Sequence, residues 1–103
     1  MARHIAIIEP ARNTRTCTVY AVTTSSTIAL AADSGRKKIT LQNNSDTAIH
    51  FRTDGGTAST SDGKSLVLAA SGGSWSEDIN IPMGAITAIH GGVGTKNLTI
   101  EYA

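Results

Sequence analysis

The sequence predicts an all-β fold: a single antiparallel β-sandwich or jelly-roll-like domain of about eight short strands, preceded by an extended N-terminal arm. Three observations favour this class. The 103 residues include 14 Thr, 10 Ser and 10 Gly, a composition typical of strands and turns. Apolar residues alternate along short segments and show no helical period. Turn residues separate the segments at roughly the 8–12-residue spacing of sandwiches and small barrels.

The first four predicted strands share an alternation of apolar and polar residues, and they cover 16–23, 27–31, 37–43 and 47–53. In the third, Ile39 and Leu41 lie on one face, and in the fourth Ile49 and Phe51 point inward. The segment between them, residues 43–46, is a turn by composition. The sequence therefore predicts that the third and fourth strands pair as a hairpin.

The last four predicted strands follow turns rich in glycine, proline or aspartate, and they cover 66–68, 74–79, 85–90 and 97–102. Leu66 and Leu68 mark the first of these strands. In the last one, Leu98, Ile100 and Tyr102 share a face. Short strands in this number and order indicate a sandwich.

Residues 1–15 differ in composition from the rest of the chain. They combine isoleucines and arginines with a single acidic residue, and Pro10 interrupts any regular element. We therefore divide the chain into an extended arm, 1–15, and a β-sandwich domain, 16–103. The candidate partner-binding residues of the arm are Arg3, Ile5, Ile7, Ile8, Arg12 and Arg15.

The charge and aromatic content argue against several classes of partner. The net charge is +1 and charged residues are 17% of the chain, so a nucleic-acid partner is not expected. No apolar stretch is long enough to span a membrane. Aromatic residues are only 4%, which weakens both base stacking and sugar binding. Interior packing is the expected role of Trp75.

The candidate catalytic residues are few and are not grouped in the sequence. His4, His50 and His90 have no metal-binding spacing, and we expect His50 and His90 to be exposed. The single Cys17 excludes an internal disulfide and any multi-cysteine metal site, and its place in an alternating strand predicts a small buried residue. The basic run 36–38 predicts solvated charge.

The remaining polar motifs have structural explanations. Four aspartates fall in predicted turns, where their side chains bond their own backbone more often than a calcium ion: Asp33, Asp46, Asp54 and Asp62. The segment 63–65 resembles the end of a phosphate-binding loop, but Ala58 stands where that motif needs glycine. We therefore expect no enzyme, no metal and no cofactor.

Residues 36–102 resemble a known class of protein. The stretches that carry the likeness are 36–45, 48–52, 66–70, 72–75 and 81–89. They are similar to small β-domains of tailed-phage virion proteins, in which a strand reading L-x-I-Q-N precedes a hairpin, an L-x-A-G-G-S segment and a P-x-G-A-V-x-A-I turn and strand. The resemblance implies a structural protein of the capsid or tail and no active site.

The expected function is that of a non-enzymatic virion structural protein, made in the host cytoplasm. A capsid decoration or cement protein fits best; it would stabilise the head by binding the major capsid protein and neighbouring copies. We expect a homo-oligomer, and a trimer would suit it, with no nucleic-acid or membrane partner. Two alternatives remain: a tail, spike or fibre component, and a glycan-binding β-module using Trp75.

Overall fold

The computed structural model describes residues 14–103, which form eight β-strands. The strands are β1 (Thr16–Val22), β2 (Thr27–Leu30), β3 (Ile39–Asn43), β4 (Ile49–Arg52), β5 (Leu66–Leu68), β6 (Gly73–Glu77), β7 (Ile86–His90) and β8 (Lys96–Tyr102). Residues 14–103 contain no helix, and hence none that could cross a lipid bilayer. The structure confirms the predicted all-β class, and each predicted strand is present.

The strands form two four-stranded antiparallel sheets. The front sheet has the order β1-β8-β3-β6, and the back sheet has the order β2-β7-β4-β5. The chain changes sheet at every connection except the one between β4 and β5. This order is that of a jelly roll, the form of the sandwich that the sequence predicts.

The predicted hairpin between β3 and β4 is wrong, because these strands lie in opposite sheets. β3 pairs with β6 and β8, whereas β4 pairs with β5 and β7. The buried Asn43 ends β3 and links the sheets: its side-chain amide donates to Thr47 O at 2.8 Å and to Leu68 O at 3.1 Å. The apolar faces of β3 and β4 therefore oppose each other across the core.

The core lies between the sheets and consists of the alternate, inward side chains. Its buried members are Val22, Ile39, Leu41, Ile49, Phe51, Leu68, Ile86, Ala88, Leu98 and Ile100. Burial of one large aliphatic or aromatic side chain contributes about 1.5–3 kcal/mol, so this layer is the main source of stability. The predicted inward positions in β3, β4 and β8 are confirmed.

His90 is buried, contrary to the prediction that it is exposed. Only 1% of its surface is exposed. Nε2 lies 2.6 Å from Gly94 O, and Nδ1 accepts a hydrogen bond from the Gly92 N–H at 3.0 Å. Because the carbonyl needs a donor and the amide needs an acceptor, this geometry fits the tautomer with its proton on Nε2. His90 thus holds the β7–β8 turn.

Arg36 is also buried, contrary to the prediction of a solvated basic run. It is 4% exposed, and its guanidinium donates to the carbonyls of Pro82, Gly84 (3.2 Å) and Ala31 (2.7 Å). Burial lowers the pKa of Arg36 from its usual value, while the nearby acidic groups of Asp33 and Tyr102 act in the opposite direction. Arg36 therefore clasps the segment before β7 to the β2–β3 connection.

A loop of residues 53–65 lies on the outer face of the back sheet. Thr87, on that face, donates from its hydroxyl to Gly56 O at 2.6 Å and is 5% exposed. The Ala58 N–H donates to Ser26 Oγ at 2.9 Å, and Ala58 is buried. The front sheet has no such cover from the residues that the structure describes. The loop therefore covers part of the outer face of the back sheet, whereas the outer face of the front sheet is left open by the described residues.

Candidate assembly interface

Of the predicted partner-binding residues, only Arg15 belongs to the part of the chain that the structure describes. The others lie outside the described residues: Arg3, Ile5, Ile7, Ile8 and Arg12. Arg15 lies just before β1, and its Nη1 donates to Glu101 Oε1 at 3.1 Å. Both side chains of this ion pair are exposed, so it orients the start of β1 more than it stabilises the fold.

The first half of β1 is paired within its sheet but uncovered by the opposite sheet. Thr16 and Thr18 stand beside Tyr102 and Ile100 of β8 on the inward side, yet both threonines are exposed. The opposite sheet begins to cover β1 at Tyr20, whose hydroxyl donates to Thr27 Oγ1 of β2 at 2.7 Å. β1 therefore begins with a strand end that the other described residues leave uncovered.

The outer face of the front sheet is almost uncharged. Its outward residues, read from the strand registers, are Cys17, Val19, Ala21, Thr40, Gln42, Ser74, Ser76, Asn97, Thr99 and Glu101. Glu101 is the only charged member, and Arg15 pairs with it. Short uncharged side chains lose little rotamer freedom on contact, and protein interfaces are depleted in Lys and Glu. This face is therefore suited to protein contact.

Cys17 is exposed on this face, which makes the prediction of a buried cysteine wrong. It belongs to β1, at the edge of the front sheet, and stands opposite Glu101 on the outer side. The strand register places Cys17 on the face opposite Tyr20 and Val22, the inward residues of β1. Alternation along β1 does not by itself show which of its two faces is covered.

Trp75 packs into the interior and does not form a sugar platform. Its ring centroid lies 5.4 Å from that of Phe51, with the rings tilted by 56°. It is half-buried and packs against the core cluster. This geometry supports the expected interior role and offers no flat exposed ring for the glycan-binding alternative.

Three of the turn aspartates bond their own backbone, as predicted. Asp33 Oδ1 accepts from the Gly35 N–H at 2.8 Å, Asp54 Oδ1 from that of Gly56 at 2.9 Å, and Asp62 Oδ1 from that of Lys64 at 2.9 Å. Asp46 differs, because its carboxylate contacts the Lys96 ammonium at 2.8 Å. Hydrogen bonds from the Lys96 and Thr47 side chains lower the pKa of Asp46.

Asp54 has the most perturbed carboxyl group among these turns. The Arg52 guanidinium donates from Nε to Asp54 Oδ1 at 2.9 Å and from Nη2 to Oδ2. These bonds, together with the Gly56 amide, lower the pKa of Asp54 to about 2. Residues 14–103 include no cluster of three or more His, Cys, Asp or Glu side chains arranged to hold a metal ion.

Sequence reasoning missed the role of Arg36 and of the loop 53–65. The loop contains only polar and small residues, which is the pattern of any solvated connection. Arg36 differs from Lys37 and Lys38 in having a planar fork that can serve three carbonyls at once, and this chemical difference was the one available signal.

Comparison with known proteins identifies no family. No family model matches the sequence, and no curated protein matches it. Among solved structures, the chain is similar to one described as "Bacillus endospore appendages form a novel family of disulfide-linked pili". The match has 16% sequence identity, covers 98% of each chain and has a TM-score of 0.47. A likeness this distant does not indicate a shared function.

Proposed function

We propose that this protein is a non-enzymatic structural subunit of a phage virion, most simply a capsid decoration or cement protein. Residues 1–15 act as an arm that anchors each copy to the major capsid protein or to neighbouring copies, and residues 16–103 form the domain that it attaches. The observation that carries this proposal is the uncovered first half of β1, from which the arm starts.

The exposed strand end supports an arm that leaves its own domain. Thr14, Arg15 and the first four residues of β1 are exposed on both sides of the sheet. A protein partner can therefore reach this strand end without displacing any described residue.

The bare front face supports repeated contact with other proteins. The outward side chains of β3 and β6 are short or neutral, so contact removes little hydration and side-chain freedom. They are Thr40, Gln42, Ser74 and Ser76. Many weak contacts of this kind add up on a shell, because each bound arm raises the effective concentration of the next contact. Tail location remains the alternative, since the same features serve a tail or fibre subunit.

The arm is tested by deleting residues 1–15 and measuring binding to purified particles from the cells that encode the protein. Because the core lies wholly within β1–β8, we expect the shortened chain to fold and to lose particle association. Circular dichroism verifies folding, and sedimentation with the particles measures binding. Undiminished binding of a folded, shortened chain would show that the arm is not the anchor.

The location is tested by electron microscopy of those particles with an antibody against the domain. Label over the head supports a decoration protein, and label confined to tails or fibres selects the alternative. An absence of label from all particles that contain the major capsid protein contradicts a virion role.

A further inference from the structure

We propose that the acceptor for the arm is the free edge of β6 in a second copy of this chain, where residues 5–8 add as a fifth strand of the front sheet. This inference rests on the proposed function, because it names the site to which the arm binds. It joins three observations: an edge that is open over most of its length, an acidic strand end and an apolar seam beside it.

The first observation is that β6 is an edge strand that is open to another strand from Ser74 onward. Within residues 14–103 its only partner in the sheet is β3, so alternate residues direct their N–H and C=O groups outward. Its first residue is already occupied, because the Gly73 N–H donates to Ala69 O at 3.1 Å. The five residues of β6, Gly73–Glu77, include no proline and no lysine, the residues that most often protect an edge. A strand that pairs along the four open residues gains main-chain hydrogen bonds over about 14 Å.

The other three edges in this part of the chain are less suitable. β5 has only three residues, and β2 has a register shift between Ile28 and Leu30; both features discourage strand addition. β1 is long and regular, but Glu101, the acidic residue on its neighbouring strand, is already paired with Arg15, so this edge offers the basic arm less charge complementarity than β6. By elimination, β6 is the edge on which an added strand meets the fewest obstacles.

The second observation is the complementary charge at the end of β6. Glu77 ends the strand and the exposed Asp78 follows it. The arm has Arg3 and Arg12 on either side of its isoleucines, with Glu9 as its only acidic residue. Pairing of either arginine with this acidic end favours association and limits which way the arm binds.

The third observation is an apolar seam between β6 and β5. Trp75 is the inward residue at the centre of β6 and packs on Phe51, whose register partner in β5 is Leu66. Leu66 is 49% exposed although it lies on the inward face of its sheet. Isoleucines at alternate positions, such as Ile5 and Ile7, would point together into this seam, where each buried methylene contributes about 0.8 kcal/mol.

The proposed pairing places Ala6 on the outer face, beside Ser74 and Ser76. Opposed residues of neighbouring strands have Cβ atoms near enough for a disulfide. The test therefore uses the full chain with Cys17→Ser, in two preparations whose chains differ in mass. A disulfide between the two preparations can then be told from one within a single preparation. One contains Ala6→Cys, and the other contains Ser74→Cys, Ser76→Cys or the control Ala21→Cys, which lies on the outer face of β1.

Mixing the preparations under mild oxidation measures contact between different copies. We expect a mixed disulfide with at least one β6 variant, in about tenfold higher yield than with the Ala21→Cys control. Equal yield with the control contradicts the choice of β6. A chain that contains both Ala6→Cys and Ser76→Cys and forms only an internal disulfide on dilution shows that the arm occupies its own edge, which also overturns the proposal.

A pair of charge variants tests the same site without cysteine. Ser76→Lys places a positive charge beside the basic arm and should lower both cross-linking and the mass measured by light scattering. Ser76→Glu changes the same exposed side chain in the opposite sense and should lower neither. Equal effects of the two variants would contradict charge-guided binding at β6.

The outcomes also separate this inference from the proposed function. If deletion of residues 1–15 abolishes particle association and Ser76→Lys leaves it complete, the arm is still the anchor but β6 is not its acceptor. Full association by the deletion variant shows that the arm is not the anchor, and absence of the chain from particles that contain the major capsid protein rejects the proposed function. Reduced association by Ser76→Lys, with normal association by Ser76→Glu, supports both.

Discussion

The two sheets have similar inner faces and different outer faces. On the back sheet, the loop 53–65 crosses the outer side, and Thr87 is buried there by its hydrogen bond to the loop. Ile28 and Val67, which point outward from the two edge strands of this sheet, remain 59% and 55% exposed. On the front sheet, no described loop crosses the outer side, where Val19 is 59% exposed and the other outward residues are small or polar. The difference teaches that the loop buries the middle of one outer face, whereas the described residues leave the other face uncovered.

The largest expected effect comes from breaking the clasp at Arg36, which joins the β2–β3 connection to the segment before β7. Arg36→Ala leaves the carbonyls of Ala31, Pro82 and Gly84 without their charged donor, and we expect a loss of about 3 kcal/mol in the free energy of unfolding. Urea denaturation measures it. The control Lys37→Ala changes an exposed neighbour and should stay within about 0.5 kcal/mol. Equal effects of the two would contradict a clasp.

The next effect compares the outer faces directly with one isosteric change. Thr87→Val on the back sheet leaves the Gly56 carbonyl of the loop without its hydrogen-bond donor. It should lower the free energy of unfolding by about 1–3 kcal/mol. Thr40→Val on the front sheet removes a hydroxyl from the open face and should change stability by less than about 0.5 kcal/mol. Thermal unfolding of both variants tests this. A larger cost for Thr40→Val would reverse the comparison.

A smaller, pH-dependent effect is expected at Asp54, in the first turn of the loop 53–65. Its pKa is about 2 in the folded protein and 3.8 in its ordinary state, so the native contacts favour the ionised form. A lowered pKa means that this stabilisation is complete above about pH 4 and is lost as pH falls towards 2. We expect the stability gap between wild type and Asp54→Asn to narrow over that range.

The partner of Asp54 supplies the control for this pH effect. In an Arg52→Met background, Asp54 lacks its main hydrogen-bond donor, so Asp54→Asn should give a gap that varies less between pH 5 and pH 2. Denaturant curves across this range in both backgrounds measure it. An unchanged pH dependence without Arg52 would assign the lowered pKa of Asp54 to another cause.

The smallest effect is expected from Cys17→Ser on the open face. The side chain is exposed and makes no core contact, so stability should change by less than about 0.5 kcal/mol. The native thiol should also react with an aromatic disulfide reagent without denaturant, with the absorbance of the released thiolate as the readout. A thiol that reacts only after unfolding would show that the front face at β1 is covered.

The position of each strand was predictable because alternation is local information. Ile39 and Leu41, or Leu98 and Ile100, lie two residues apart, and that spacing alone places their side chains on one face. The partner of each strand was not predictable in this way. The turn after Asn43 reads as a hairpin turn, yet β3 pairs with β8, whose residues lie more than fifty positions later.

The candidate interface was predictable only in part, for a related reason. Composition singled out the arm, but alternation was used to predict a buried Cys17, which the structure shows to be exposed. Neither could show that a loop covers the middle of the back sheet and leaves the front sheet bare, because that depends on contacts such as Thr87 with Gly56. The acceptor edge at β6 likewise depends on which strand ends the sheet.

The sequence by itself determined the all-β class, the strand positions and the inward side chains of the core, because all three follow from short-range alternation and turn chemistry. Only the tertiary structure decided the jelly-roll order, the burial of Arg36 and His90, and the exposure of Cys17. These depend on hydrogen-bond partners and neighbouring strands that are distant in the chain, and their meeting is a property of the whole packed domain.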